Sequence, residues 1–289
     1  MGIPDRIKAN HPFISLEFFP PRTAKAIPAF HETVERLMRL NPLFAAVTCG
    51  AGGGGTTNTM KTAYGLREKY GLTAMPHVTC VRNSVESVRA LVKEIRECGF
   101  QNVLAVRGDF PEGQDAAPEG LRYASDLVRR IHEADSELNV GVAAYPDAHP
   151  ESASLKDDID CLLRKFDMGA SFAVTQLFFD NRRYFDLVDR LARKGCTSLV
   201  IPSVLPIRSL GQVRRLMGIC STPIPGKLLA ALEEADAKGG DKAVREVGAD
   251  FAADQLRNLV NLGAPGVHLY PFNRAGLCLE VVERAGLMP

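Results

Sequence analysis

The chain has 289 residues, 46% of them hydrophobic, and a formal net charge of +1. This length can bury a large core in one α/β domain, and the near-neutral charge argues against nucleic acid or an anionic membrane as a partner. No apolar run reaches the roughly 18 residues of a bilayer span, and the first residues contain no hydrophobic signal core. We therefore expect a cytoplasmic protein whose seven scattered cysteines are buried free thiols, with no metal site.

The first predicted element is a short apolar strand within residues 14–22, which carries Glu17 and is stopped by Pro20 and Pro21. Proline fixes φ and has no N–H for a sheet ladder, so the strand must end there. A glutamate is rarely buried unless it is paired or functional. Taken alone, this segment fits equally well a solvated glutamate on an edge strand and a functional carboxylate held on a stiff turn.

Seven further strand-like runs follow, and the segments between them have helical periodicity. The runs are residues 44–50, 75–80, 102–108, 139–145, 172–179, 198–206 and 266–272. Most are continuously apolar, which is typical of parallel strands covered on both faces. Helices are predicted at 84–98, 123–132, 155–168, 184–193 and 211–217. Eight βα units predict a (β/α)8 barrel, and the short loops favour one domain over residues 1–289.

A glycine-rich run at residues 50–55 fits the pattern G-x-G-x-x-G, which would indicate a dinucleotide site on a Rossmann fold. The run follows the second strand, and no acidic residue closes a following strand at the expected distance, since Glu68 lies in a helical stretch. We favour a flexible loop over the barrel mouth, because glycine allows a close approach to a ligand.

Polar residues collect at the predicted carboxyl ends of the strands, where barrels of this type form their active sites. They are Glu17, Thr48, His77, Arg107, Gly108, Asp109, Tyr145, His149, Gln176, Asn273 and Arg274. Structural roles are also open for some of them. His77 fits a hydrogen-bonded core histidine, Arg107 and Asp109 fit a structural ion pair, and Gln176 fits a side chain that hydrogen-bonds a neighbouring backbone group. So many polar residues on one rim nevertheless favour a functional site.

The segments SLEFFPPRT, FAAVTCGAGG, PHVTC, VLAVRGDFPEG, YASDLV, VAAYPDAHPES, LLRKFDMGASFAVTQLFFD, IPSVLPI and HLYPFNRA resemble, in order, those of the methylenetetrahydrofolate reductase family. The resemblance covers nearly the whole chain. It implies a (β/α)8 barrel with non-covalent FAD, which NADH or NADPH reduces and which passes a hydride to 5,10-methylenetetrahydrofolate. It also implies a small-molecule folate substrate and a homo-oligomer.

The resemblance assigns roles to matching positions. Glu17 matches the general acid, Asp109 an aspartate beside the flavin and the pterin, Gln176 a pterin-contacting glutamine and Arg274 a substrate-binding arginine. The matching flavin positions are Thr48, His77, Arg107, Gly108, Asp109, Tyr123, Ala124, Ala143, Tyr145, His149, Asp158, Arg164 and Lys165. Arg164 and Lys165 would serve the FAD phosphates.

Opening the five-membered ring of the substrate leaves electron density on N10, which must gain a proton, so a carboxylic acid is a suitable donor. For that role the pKa of Glu17 is expected to be raised, and Leu16, Phe18 and Phe19 are expected to supply the apolar surroundings.

The chain departs from the family pattern at Pro271-Phe272, where Thr-Leu is more usual, and at Cys161, where some relatives have a flavin-contacting asparagine. Other functions remain open at this point. They are a reductase supplied with electrons by a partner protein, a flavin-free folate-binding methyl-transfer or carrier module on the same barrel, and a non-catalytic subunit.

Overall fold

A computed structural model describes residues 2–49, 55–81, 83–109, 120–220 and 222–289, with the side chains of residues 219 and 220 excepted. In these ranges eight parallel strands close into a barrel in the order β1 to β8. The strands are β1 (Phe13–Phe18), β2 (Ala45–Val47), β3 (Ala74–Thr79), β4 (Asn102–Val106), β5 (Asn139–Ala144), β6 (Phe172–Leu177), β7 (Leu199–Val204) and β8 (Gly266–Leu269). The predicted (β/α)8 barrel is confirmed.

Helix α1 precedes the first strand, and the other helices follow the strands and surround the barrel. Those described are α1 (Ile3–Ala9), α2 (Ile27–Leu37), α3 (Gly55–Tyr70), α4 (Val85–Glu97), α5 (Ala124–Ala134), α6 (Leu155–Asp167), α7 (Asn181–Arg193), α8 (Leu210–Cys220), α9 (Gly226–Asn261) and α10 (Ala275–Arg284). The five predicted helices correspond to α4 to α8. Helix α9 is kinked at Gly239 and Gly240, where the backbone leaves the helical region. Residues 50–54 of the predicted glycine loop lie outside the described residues.

Strand β1 shows how the chain divides its side chains between two environments. Leu16 and Phe18 belong to the large apolar cluster between the barrel and its helices. Phe13 belongs to a separate cluster inside the barrel. Because successive side chains of a strand point to opposite faces, Ser15 and Glu17 share the inward face with Phe13. The strand therefore presents its polar residues to the barrel interior and its apolar residues to the helices.

The amino-terminal end of the barrel is closed by apolar side chains. Ile3 and Ile7 of α1 pack there with Phe44 and Phe172. Gly141 makes room for this packing, since a Cβ at that position would come within 2.8 Å of the Phe172 ring. Burial of each large side chain stabilises the fold by about 1.5–3 kcal/mol. Polar inward-facing residues are thus left at the opposite, carboxyl end of the strands.

Helix α4 illustrates the outer layer. Its buried residues Val88, Leu91, Val92 and Ile95 lie at helical spacing on one face. Val85, which the sequence also predicts on this face, is only partly buried, and Val92 was not predicted there. The hydroxyl of Ser84 accepts a hydrogen bond from the backbone N–H of Ser87 and caps the helix.

The cysteines only partly follow the prediction. The six whose side chains are described form no disulfide, but only Cys80 and Cys278 are buried, and Cys49, Cys98, Cys161 and Cys196 are partly exposed. The expectation of buried thiols is therefore wrong for four of them. Among the described residues, no helix is long and apolar enough to cross a membrane.

Candidate active site

Glu17 lies at the centre of the carboxyl end of the barrel, between two histidines. It is 8% exposed, and its Oε2 lies 3.5 Å from Nε2 of His77 on β3 and 3.5 Å from Nε2 of His268 on β8. Both nitrogens are buried and have no other hydrogen-bond partner in the described part of the chain. The pairing of β1 with β2 and β8 brings these elements together. The carboxylate is therefore buried between two imidazole nitrogens.

The electrostatics of Glu17 differ from the sequence expectation. Burial acts to raise its pKa, but the contacts with His268 and His77 outweigh burial and lower the pKa to about 2. The expected rise of the pKa is therefore wrong for the ligand-free protein. The physical reason is the pleat: Leu16 and Phe18 face the helices, so they cannot form the surroundings of Glu17.

His268 has a second polar contact behind Glu17. Its Nδ1 lies 2.9 Å from Oγ of Ser15, and both residues are fully buried. The sequence analysis missed both. Ser15 could have been found, because it lies two residues before Glu17 and so shares its face of β1. His268 could have been found from its place in the HLYPFNRA segment, at an inward position of the last strand.

A cavity of about 1110 Å³ opens on one side of Glu17. All thirteen positions that the resemblance assigns to the flavin line this cavity: Thr48, His77, Arg107, Gly108, Asp109, Tyr123, Ala124, Ala143, Tyr145, His149, Asp158, Arg164 and Lys165. Its size is at the upper limit of typical ligand pockets, which are about 300–1,000 Å³. The structure therefore brings together residues from β2 to α6 that are far apart in the sequence.

Arg107 is the best-placed cation at the rim of this cavity. Its guanidinium donates to both carboxylate oxygens of Glu151, at 2.5 and 2.7 Å. The hydrogen bond with Glu151 raises the pKa of Arg107. The structural ion pair considered for Arg107 thus has Glu151 as its partner, a residue that the sequence analysis did not single out, although it lies within the VAAYPDAHPES segment.

Asp158 organises the loop between β5 and α6. Its carboxylate accepts hydrogen bonds from the backbone N–H of His149 and from the hydroxyl of Ser152. The imidazole of His149 packs edge-on against the ring of Tyr145, with the ring centroids 4.8 Å apart. Asp158 therefore acts on the cavity by holding the loop that carries His149.

Lys165 and Arg164 occupy different environments, although they are adjacent. Lys165 is partly buried, and its Nζ donates to the carbonyl of Ala143 at 2.8 Å. Burial lowers the pKa of Lys165 to about 8. Arg164 is exposed, and its guanidinium contacts Sγ of Cys161 at 2.8 Å. Both line the cavity, so one buried and one exposed cation are available to an anionic ligand.

Two features of the cavity leave room for hydrogen bonds or close approach by a ligand. The buried Oγ1 of Thr48 has no hydrogen-bond partner among the described residues. Gly108 has φ +81°, and a Cβ there would come within 3.2 Å of Thr79. A side chain at position 108 would be strained and crowded, so the backbone stays open to the cavity.

A second cavity, of about 1370 Å³, opens on the other side of Glu17. It contains Glu17, Gln176 and Arg274, three of the four predicted substrate residues. It shares seven lining residues with the first cavity: Glu17, Phe19, His77, Val106, Ala143, Tyr145 and Gln176. Asp109 lines only the first cavity. The carboxamide oxygen of Gln176 accepts from the N–H of Leu177 at 2.9 Å, so its NH₂ group remains for other partners.

The rim of the second cavity carries a pair of aromatic rings. Phe19 and Phe272 are stacked, with centroids 5.3 Å apart. Phe272, in the segment that departs from the family pattern, and Asn273 both have positive φ, of 48° and 54°.

Among the described residues, no group of three or more histidine, cysteine or acidic side chains is arranged to hold a metal ion.

Comparisons with known proteins agree with this geometry. The family model described as methylenetetrahydrofolate reductase matches residues 3–286. The 5,10-methylenetetrahydrofolate reductase of Salmonella typhimurium is 34% identical over 277 residues, covering 96% of this chain and 91% of the relative. An Arabidopsis thaliana relative named methylenetetrahydrofolate reductase (NADH) 1 is 32% identical, covering 100% of this chain and 51% of its own length.

Among solved structures, an uncharacterised Clostridium thermocellum protein has a similar fold. That protein binds two copies of 5-methyl-5,6,7,8-tetrahydrofolic acid. The TM-score is 0.66 at 13% sequence identity, over 99% of each chain. At this identity the likeness supports the barrel fold alone.

Proposed function

Because the chain belongs to the methylenetetrahydrofolate reductase family of oxidoreductases, we propose that it reduces 5,10-methylenetetrahydrofolate to 5-methyltetrahydrofolate by hydride transfer from FAD reduced by NADH or NADPH. One observation carries the proposal. Glu17 lies in the wall shared by two cavities: the flavin positions line the first, Arg274 lines the second, and Gln176 lines both. A proton donor in that wall could reach a substrate on one side while a redox cofactor occupies the other.

The residues of the first cavity fit FAD. Its pyrophosphate would meet Arg164, Lys165 and Arg107, and charge-assisted hydrogen bonds to such groups are among the strongest. Arg107 would then exchange its contact with Glu151 for the ligand. The unpartnered hydroxyl of Thr48 would serve a polar atom of the cofactor. When bound, the flavin supplies a two-electron hydride to the substrate carbon.

The protein's own contribution is the handling of one proton. As the bond from the methylene carbon to N10 breaks, N10 takes a proton from Glu17, and the carbon becomes part of an iminium with N5. Hydride addition to that carbon completes the methyl group. General acid catalysis of this kind contributes about 10²–10⁴-fold to the rate.

The low pKa of Glu17 means that the free enzyme holds it as a carboxylate at neutral pH. To protonate N10, Glu17 must first take up one proton from solvent, and the Nε2 atoms of His77 and His268, each 3.5 Å from the carboxylate, would then hold the carboxylic acid in position. Ligands that fill both cavities would exclude water and increase the desolvation of Glu17, which favours its neutral, proton-donating form. Ser15 would hold the imidazole of His268 in place through Nδ1.

On the substrate side, Gln176 would donate its free NH₂ group to the pterin, and Arg274 would pair with a carboxylate of the substrate. Asp109, exposed at the end of β4, would place a negative charge near the flavin and the pterin and disfavour an anionic reduced ring.

The visible absorbance spectrum of the purified protein under anaerobic conditions, before and after 5-methyltetrahydrofolate, tests the proposal. We expect a flavin band that bleaches. A flavin band that does not bleach contradicts the folate assignment and the role of Glu17. If no flavin band is present even after FAD is added, the protein is better described as a flavin-free folate-binding module. Bleaching by NADH or NADPH identifies the electron donor.

A further inference from the structure

Strands β6 and β7 pair irregularly just below the rim of the barrel. The register is regular up to Val174, which pairs with Ile201, and the next pair is Leu177 with Ser203. One more residue of β6 than of β7 lies between these pairs, so β6 contains a β-bulge that includes Gln176. Towards β5 the same strand keeps its register. Because bulges often lie beside active sites and direct a side chain there, the strand pairing bears on the position of Gln176.

Pro202 explains why the bulge lies here. It is the residue of β7 between the two pairs, and proline has no N–H to donate to a neighbouring strand. Within sheets, proline is found mainly at edges and bulges, and a closed barrel has no edge strand. The bulge in β6 therefore accommodates Pro202 within the barrel wall.

Side-chain hydrogen bonds hold the two strands together at the bulge. Oγ1 of Thr175 accepts from the N–H of Ser203 at 2.8 Å, and the hydroxyl of Ser203 donates to the carbonyl of Thr175 at 2.6 Å. The hydroxyl of Tyr270 donates to the same carbonyl at 3.3 Å. Thr175 and Ser203 are both buried. Removal of either hydroxyl therefore leaves a buried polar group of the other residue without its partner.

The bulge also fixes the orientation of the Gln176 carboxamide. The N–H of Leu177, where the register resumes, donates to Oε1 of Gln176 at 2.9 Å. A backbone N–H can only donate, so it must face the oxygen of the carboxamide and not the NH₂ group. Gln176 lines both cavities. It therefore offers the hydrogen-bond donors of its NH₂ group to a ligand.

We propose that Ser203 is a positioning residue for Gln176, acting through Thr175 and the bulge that their hydrogen bonds hold. Ser203 lines neither cavity, so it acts on a ligand only through its neighbours. The proposal rests on the proposed function, which places the pterin beside Gln176. With the bulge held, the NH₂ group is oriented towards a pterin acceptor before the substrate arrives, which reduces the entropy lost on binding.

Stopped-flow reduction of the flavin by 5-methyltetrahydrofolate in the FAD-loaded enzyme tests the proposal, because it gives both the Kd for the folate and the limiting rate. We expect Ser203→Ala to raise the Kd about tenfold and to change the limiting rate by less than about twofold, since Gln176 handles neither the proton nor the hydride. In a Gln176→Ala background, Ser203→Ala should change the Kd by less than about twofold, because the carboxamide that it positions is gone.

Two variants of Thr175 provide a second route to the same answer. Thr175→Val keeps the shape of the side chain but removes the acceptor for the N–H of Ser203, so it should also raise the Kd. It serves if Ser203→Ala does not fold. Thr175→Ser keeps the hydroxyl and should retain the wild-type Kd.

Tyr184→Phe is the matched control, since the buried hydroxyl of Tyr184 donates to the carbonyl of Val200 on the same strand, at 3.0 Å. It should lose stability but keep the wild-type Kd. An unchanged Kd in Ser203→Ala, or an equal rise in the wild-type and Gln176→Ala backgrounds, overturns this inference and leaves the proposed function intact. A wild-type flavin that 5-methyltetrahydrofolate does not reduce overturns both.

Discussion

The side-chain amide of Asn273 pairs with both backbone groups of Phe19. Its Nδ2 donates to the Phe19 carbonyl at 2.8 Å, and its Oδ1 accepts from the Phe19 N–H at 3.1 Å. The pair joins the turn after β8 to the end of β1, two residues beyond Glu17. It also holds Asn273 at a positive φ of 54°, a conformation that asparagine tolerates better than most residues.

Asn273→Ala should destabilise the protein by about 1–3 kcal/mol, because it leaves the two backbone groups of Phe19 without their partner. It should also weaken folate binding, since Arg274 follows directly. Asn273→Gly is the matched control, because glycine keeps the left-handed conformation while losing the same hydrogen bonds. The free energy of unfolding in urea separates the two effects. The loss of stability common to both variants measures the hydrogen bonds of Asn273, and the additional loss in Asn273→Ala measures the backbone strain. Wild-type stability in both variants would contradict the assigned role.

Glu17→Gln should retain bound FAD and its reduction by the nicotinamide donor, yet lose folate reduction by about 10²–10⁴-fold, because glutamine keeps the shape of the side chain but cannot donate an acidic proton. Stopped-flow measurement of the two half-reactions checks this. A variant that reduces methylenetetrahydrofolate at the wild-type rate would exclude Glu17 as the general acid.

Glu17 should also make the protein acid-sensitive. Its pKa is lowered from 4.5 to about 2 on folding, so its stabilising contribution is complete above about pH 4.5 and is lost as the pH falls towards 2. The shift corresponds to about 3 kcal/mol. The free energy of unfolding of the wild-type protein, relative to Glu17→Gln, should decrease by about this amount between pH 5 and 2. A constant difference across this range would show that the carboxylate is not held in its ionised form.

The affinity for FAD should fall as the pH rises through about 8, because burial lowers the pKa of Lys165 to about 8 and the side chain loses its charge above that pH. Nearby Asp158, Cys161 and Cys80 act in the opposite direction, and they do not cancel the effect of burial. Titration of FAD with the protein, followed by the flavin's own fluorescence, should show a several-fold weaker affinity at pH 9 than at pH 7. Lys165→Arg should bind equally at both pH values, because arginine stays charged. Lys165→Met should bind weakly at both, and a wild-type affinity that does not change with pH would exclude Lys165 from the phosphate site.

Much of the fold could be predicted because most strands are continuously apolar runs, a pattern typical of strands buried on both faces. All eight predicted strands are present, although most are shorter than predicted; the run at 198–206, for example, gives the strand Leu199–Val204. Helix α1 was not predicted, since its role as the plug of the barrel depends on contacts of Ile3 and Ile7 with distant strands. Such contacts leave no periodic signal in seven residues.

The sequence grouped residues that the structure brings together, but it did not predict the electrostatics of Glu17. Positions such as Thr48 and Lys165, which the resemblance assigns to the flavin, line one cavity, and their roles stay predictions. The pKa of Glu17 was predicted in the wrong direction, because it depends on His268, a residue at the other end of the chain. The surroundings of a strand side chain are set by residues on other strands, and its neighbours in the sequence point to the opposite face.

The pairing of β1 with β8 has a consequence for how the enzyme is made. Ser15 and His268, which meet behind Glu17, are separated by 253 residues, so they come together only when the last strand closes the barrel. Contacts of such long sequence separation form late and slowly in folding. A nascent or truncated chain that has every strand but the last therefore lacks the contact that lies behind Glu17. The surroundings of Glu17 are completed only when the last strand closes the barrel.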